Sequence, residues 1–139
     1  DNIGTFWVPD SLPPVGQPIE FEYKLHWFED QLKPPVAEVI ATRMGASRTH
    51  DLDVQHFWID YDSPYLRKLP IGSGMEAVVD VPDGVKLAYW GAQKNPYNNT
   101  WRLSFGIKTD GSKKPMELRC FLRKDEKVLS ETWSYLWQP

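Results

Sequence analysis

The sequence holds one cysteine, no long basic run, no membrane-length apolar stretch and no amphipathic helical pattern. A single thiol, Cys120, excludes any internal disulfide. It lies in Met116-Glu117-Leu118-Arg119-Cys120-Phe121-Leu122, where positions 116, 118, 120 and 122 are apolar, so it reads as a small buried hydrophobe rather than a nucleophile. Lys and Arg number 16 against 19 Asp and Glu, a net charge of −3, and nucleic acid therefore lacks its usual electrostatic footprint. No apolar run approaches the roughly 18 residues of a membrane-spanning helix. No stretch keeps apolar residues at i, i+3, i+4 and i+7, so no helix is expected. The chain begins at Asp1 with neither a Met nor a signal peptide, which reads as a piece of something longer.

What is present is aromatic and alternating. Hydrophobic residues make up 41% and aromatics 14% of 139 residues, enough for one domain with a real core. Ile19, Phe21, Tyr23, Leu25 and Trp27 share one parity and Glu20, Glu22, Lys24 and His26 the other, the pattern of a half-buried strand over Gln17–Trp27. Phe57, Ile59 and Tyr61 alternate with His56, Trp58 and Asp60. Val85, Leu87 and Tyr89 alternate with Lys86, Ala88 and Trp90, and Trp101, Leu103, Phe105 and Ile107 with Arg102, Ser104, Gly106 and Lys108. Shorter apolar stretches at Val36–Thr42 and Ala77–Val81, and segments starting at Met116 and Val128, complete the set. Between them lie Pro13-Pro14, Pro34-Pro35, Pro70, Pro82-Asp83-Gly84, Asn95-Pro96 and Asp110-Gly111, and the 12 prolines mark edges and connections. The expected fold is all-β: an immunoglobulin-like antiparallel sandwich of about seven to nine strands. Residues 1–16 read as a Pro-rich lead-in with a first edge strand around Thr5–Val8, and residues 17–139 as the sandwich.

Catalytic and metal motifs are weak. Ile71-Gly72-Ser73-Gly74 lacks G-x-S-x-G and its strand-turn-helix setting, and reads as a turn. His26, His50 and His56 do not form the i, i+4 pair of a zinc helix. Asp51-Leu52-Asp53 and Asp60-Tyr61-Asp62 lack the glycine and distal glutamate of a calcium loop, so no metal or other cofactor is expected. Glycoside hydrolysis needs two carboxyl groups about 5–9.5 Å apart, one with a raised pKa. Asp60 with Asp62, or Glu20 with Glu22, has the spacing, but an open strand face neither desolvates a carboxyl nor shapes a cleft. Asn98-Asn99-Thr100 matches a glycosylation acceptor that matters only in a eukaryotic secretory setting. Among the seven tryptophans, Trp27 and Trp101 travel with apolar faces and read as core. Trp58 and Trp90 fall on polar parities and, with Tyr97, are the candidate exposed aromatics. Domain contact, partial core and a glycan platform all stay open for them.

Several stretches together resemble one family. Asp1-Asn2-Ile3, Phe6-Trp7-Val8-Pro9, Leu12-Pro13 and Gly16 resemble the junction entering the C-terminal domain of the periplasmic glucan biosynthesis protein G/D family. Phe21-Glu22-Tyr23-Lys24-Leu25-His26-Trp27 resembles that domain's first long strand and Ala41-Thr42-Arg43-Met44-Gly45 its next landmark. Asn95-Pro96-Tyr97 and Trp101-Arg102-Leu103-Ser104-Phe105 are similar to a characteristic turn and strand. Glu117–Leu122 and Ser130–Trp137 are similar to its last two strands.

The resemblance implies an immunoglobulin-like domain following a larger N-terminal β-sandwich domain, exported to the periplasm of Gram-negative bacteria and needed for osmoregulated, β-1,2-linked glucans. It implies that the catalytic carboxylates of the β-1,2-glucanase members lie in that other domain, so no catalytic residue carries over. The expected role is a non-catalytic accessory domain packing on the glucan-handling domain of the same protein. The alternatives are a carbohydrate-binding module stacking β-glucan on Trp58, Trp90 and Tyr97, and a partner-binding domain for the membrane glucan synthase. Trp133, Tyr135 and Trp137 share a face of the closing strand with Glu131. That face is expected to turn inward, leaving Glu131 in need of a partner.

Overall fold

A computed structural model describes residues 8–25, 27, 36–46, 54–108 and 113–139. The chain divides into two units, Asp1–Leu32 and Lys33–Pro139. In the first, the Gln17 amide donates to the Pro14 carbonyl across a turn that uses Gly16 at φ +91°. The described part of Gln17–Trp27 is not a strand, and its apolar row is exposed, with Trp27 at 91%. This corrects the expected half-buried strand and the core assignment of Trp27. Alternation makes a strand two-faced only where a neighbour supplies ladder partners and apolar cover, and among the described residues none does so here. The expected strand at Thr5–Val8 (save Val8, which is exposed), His26, His50, Asp51–Asp53 and the Asp110-Gly111 turn lie outside the described residues.

Lys33–Pro139 carries the strands β1 (Glu38–Ala46), β2 (Val54–Asp62), β3 (Glu76–Asp80), β4 (Lys86–Lys94), β5 (Trp101–Lys108), β6 (Met116–Lys124), β7 (Lys127–Val128) and β8 (Trp133–Trp137). One sheet runs β1-β2-β5-β4; in the other, β6 pairs β3, β7 and β8, all antiparallel. Four strands in this order facing β3-β6-β8 match the ABED and CFG sheets of a constant-type immunoglobulin domain. The fold is an immunoglobulin-like β-sandwich.

Parity decides what lies between the sheets. Phe57, Ile59 and Tyr61 on β2 stand opposite Phe105, Leu103 and Trp101 on β5, and all six are buried. From the second sheet come Leu118, Cys120, Leu122 and Trp133. Trp133 and Tyr135 stack at 5.5 Å, and Phe57 meets the rings of Trp133, Tyr135 and Trp137, so the aromatic face of β8 closes the core. Glu131 finds its partner at the margin: its Oε1 accepts the Val39 amide at 2.6 Å. Beside it, the Ala37 amide donates to the Leu129 carbonyl and the Glu131 amide to the Ala37 carbonyl, a parallel bridge between the leads into β1 and β8.

β2 and β6 are the strands that antibody domains join by a disulfide. Here the Tyr61 hydroxyl donates to the Cys120 carbonyl at 3.0 Å across that gap. Burial raises the pKa of the Tyr61 hydroxyl and pushes that of the Cys120 thiol up to about 12, so both stay protonated.

Two features depart from the sequence reading. A five-residue helix, α1 (Pro64–Lys68), follows β2, with the Ser63 hydroxyl accepting from the Leu66 amide as N-cap and Pro64 opening the first turn. It is too short to show a period, and it matters because Leu66 is buried and its carbonyl accepts the Trp101 indole N–H at 3.0 Å. The β6–β7 hairpin turns on Asp125 and Glu126, both at positive φ, a type I′ geometry without the usual glycine.

Candidate functional site

The two outer faces of the sandwich differ in kind. On the β3-β6-β8 sheet, exposed Arg119 pairs with Glu117, and half-buried Arg123 with the exposed Glu76 and Glu126. Such pairs leave a solvated surface of little energetic consequence. On the β1-β2-β5-β4 sheet the register sets three cross-strand rows: Gly45, His56, Gly106 and Tyr89; Arg43, Trp58, Ser104 and Gly91; Ala41, Asp60, Arg102 and Gln93. Glycines thus flank His56 and adjoin Tyr89, while Trp58 stands between Arg43 and Ser104.

The glycines are spaces that rings occupy. A Cβ on Gly106 would lie 2.5 Å from Cε1 of Tyr89, and one on Gly45 would lie 3.4 Å from Cζ3 of Trp58. His56 sits between these rings, stacked on Trp58 at 5.7 Å and tilted to Tyr89 at 5.6 Å. The Tyr89 hydroxyl and His56 Nδ1 are 2.8 Å apart, and partial burial raises the Tyr89 pKa, so that hydroxyl keeps its proton. Trp58 is half-buried within this cluster.

A charged row lies beside the rings. The Asp60 carboxylate accepts from Arg102 Nε and Nη2 at 2.6 and 2.9 Å and from Arg43 Nη1 at 2.6 Å, and the residue is only 7% exposed. Arg102, and behind it Arg43, hold the Asp60 pKa below the ordinary aspartate value against the opposing pull of burial. Asp62 is gripped by Arg67 through two bonds at 2.7 and 2.5 Å, and its pKa is likewise lowered. Neither carboxyl has the raised pKa of a glycosidase general acid. Among the described residues no three His, Cys, Asp or Glu side chains gather as a metal site.

The three sequence candidates separate. A bulge between Leu87 and Tyr89 shifts the parity of β4, so Tyr89 joins the outer face with His56 while Trp90 comes opposite the inward Phe105. Trp90 nevertheless remains 58% exposed on this edge strand. Tyr97 is 95% exposed on the turn between β4 and β5. It borders a cavity of about 240 Å³ lined by Gln93, Lys94, Asn95, Pro96, Tyr97 and Arg102. The Asn98 side-chain oxygen accepts from the Thr100 amide and hydroxyl at 3.1 and 2.8 Å, so the Asn98-Asn99-Thr100 motif serves this turn. Ser73 lies in a turn flanked by Gly72 and Gly74 at positive φ, and its buried hydroxyl has no partner among the described residues.

Reading along the sequence missed His56 with Tyr89 and Asp60 with Arg102 because those pairs join strands that are not consecutive, and Asp60 with Arg43 because the register of β1 on β2 is not written in either strand alone. Gly106, inside an otherwise strong strand pattern, is the signal that pointed there, since a strand glycine often marks a close approach.

A family model described as periplasmic glucan biosynthesis protein, MdoG, matches residues 1–137. The chain belongs to the MdoG family. It is 35% identical to glucans biosynthesis protein D 2 of Ralstonia nicotianae, a match over 100% of this chain and 27% of that protein. It is 31% identical to glucans biosynthesis protein G of Sodalis glossinidius, over 98% of this chain and 28% of the relative. The glucans biosynthesis protein G of Pseudomonas paraeruginosa is 34% identical, with 97% and 28% covered. This MdoG-family chain therefore corresponds to a domain, little more than a quarter of its relatives' length. No helix among the described residues is long and apolar enough to cross a membrane.

Proposed function

We propose that this chain is a non-catalytic accessory domain of a periplasmic glucan biosynthesis protein, packing on a larger glucan-handling domain of the same protein. The observation that carries the reading is the coverage: the match runs the length of this chain but spans 27–28% of the relatives. The chemistry agrees. Asp60 and Asp62, the carboxylates with hydrolase-like spacing, are committed to arginines and kept ionised. A general acid must instead hold its proton near neutral pH.

The contrast between the outer faces nominates the docking surface. The ion-paired β3-β6-β8 face suits water, whereas the β1-β2-β5-β4 face offers Trp58, His56 and Tyr89 with Arg43 at its margin, the aromatic and arginine mixture of protein interfaces. The partner is the remainder of the same polypeptide. The test is size-exclusion chromatography of this chain mixed with that remainder, expressed separately. Co-elution weakened by Trp58→Ser is expected. Separate elution at concentrations well above micromolar would contradict the docking reading.

A further inference from the structure

A cavity of about 390 Å³ opens where β1 begins and β2 finishes, at the end of the strands that carry Arg43, Trp58 and His56. We propose that it is the socket of the docking surface, taking one large apolar side chain of the partner that is carried beside a carboxylate. The partner is the remainder of the same polypeptide, so this assignment rests on the docking reading and adds the chemistry of its anchor.

The walls are apolar. Buried Ala37 and Leu129 form the floor, and Val36, Pro64 and Val128 the sides. At the rim Tyr65 is 56% and Val128 45% exposed. Exposed apolar surface around a concavity is the kind that a partner covers. The volume is near the lower end of the roughly 300–1,000 Å³ of ligand clefts, which suits one anchor side chain. Such an anchor, seated in a pocket, is where binding energy concentrates.

The polar lining selects the anchor's neighbour. The Ser63 and Tyr65 hydroxyls and the Lys127 ammonium can all donate, and no lining side chain is a carboxylate or an amide. Ser63 Oγ already accepts from the Leu66 amide at 3.1 Å, which leaves its O–H to give. The nearby charges are matched: Arg123 with Glu76 and Glu126, Lys124 with Asp125, and Arg67 with Asp62. Lys127 alone on the β6–β7 hairpin has no ion-pair partner among the described residues. A carboxylate completes this set and a cation does not. The floor is also fixed before a partner arrives, because the Ala37 amide donates to the Leu129 carbonyl and the Glu131 amide to the Ala37 carbonyl. That spares part of the ordering cost of association.

The test has two arms. The first is a ¹H–¹⁵N correlation titration of the labelled chain with 3-phenylpropionate, an apolar ring carrying a carboxylate, and with its neutral amide. Shifts should centre on residues 36–37, 63–66 and 127–129. The carboxylate should bind about two- to fivefold tighter than the amide, the worth of one exposed ion pair, and Lys127→Gln should erase that difference. The second arm repeats the co-elution with the separately expressed remainder. Val128→Asp should weaken association about tenfold, and Lys127→Gln about two- to fivefold. Both side chains are exposed, so the remaining amides of each variant should overlay those of the parent chain, which separates lost binding from lost folding.

Probe shifts that are absent at millimolar concentration, or that fall elsewhere, would overturn the socket. Co-elution that Trp58→Ser weakens and Val128→Asp does not would overturn it while leaving the docking reading in place. Self-association of this chain that Val128→Asp abolishes would overturn it too, assigning the cavity to a second copy. Separate elution of the unmutated pieces would defeat the docking reading itself, and the socket's occupant with it, even where the probe binds.

Discussion

Replacing Asp60 by Asn tests whether this carboxylate is a structural anchor. Asp60 holds three N–H groups from two arginines, at 2.6, 2.6 and 2.9 Å, with its own side chain 10% exposed. An amide keeps the shape but loses the charge, and its NH₂ faces a guanidinium donor. Removing one partner of a fully buried pair costs about 3–5 kcal/mol. Here the arginine side chains are 56% and 31% exposed, so water recovers part of that cost, and the expected loss is about 2 kcal/mol.

The pH dependence adds a second reading of the same variant. The folded Asp60 pKa lies below its unfolded value of about 4. Its contribution is therefore full above the unfolded value and disappears as pH falls through the lowered folded value. Urea unfolding followed by tryptophan fluorescence at neutral and acidic pH reads both effects. The gap between parent and Asp60→Asn should be about 2 kcal/mol at pH 7 and should narrow with acidification. A gap under about 0.5 kcal/mol at neutral pH, where exposed pairs fall, would refute the reasoning. So would a gap of the expected size that ignores pH.

Other variants probe the core and the glycine-lined face. Tyr61→Phe removes the hydroxyl that bridges to the Cys120 carbonyl where related folds place a disulfide, and should cost about 1–2 kcal/mol in the same urea assay. Gly106→Ala places a methyl against Tyr89 and Val54; an overpacking loss of about 1–3 kcal/mol is expected by thermal unfolding, with the His56 ring resonances displaced. Cys120, buried with its thiol pKa pushed up to about 12, should resist alkylation in the native chain at pH 8 and react readily in urea. Rapid native modification would contradict its burial.

Much of the sandwich was legible because period-two alternation records which face of a strand meets the core. Phe57, Ile59 and Tyr61 face Phe105, Leu103 and Trp101 for that reason, and the inward turn of Trp133 and the buried Cys120 follow from it too. The same logic misled at Ile19–Trp27, where an alternating row lies exposed outside any described strand. It also misled at Tyr89, since one bulged residue in β4 inverts parity from there onward and turns that ring to the outer face, while Trp90, a candidate exposed aromatic, is 58% exposed. The outer face was hidden for a topological reason. Its ring cluster joins β2 to β4 across β5, and Asp60 meets Arg102 42 positions away. Pairing order, which no local pattern encodes, creates those neighbours. Tyr97 was visible as a candidate, but its cavity requires Arg102 and Gln93 to come together from two strands.

The central claim is that this domain assists glucan handling without performing the chemistry. The most direct measurement is a reducing-end assay on linear β-1,2-glucan with this chain alone. The account predicts no turnover by the isolated chain. Hydrolysis that persists through purification and is abolished by Asp60→Asn or Asp62→Asn in a folded variant would contradict it.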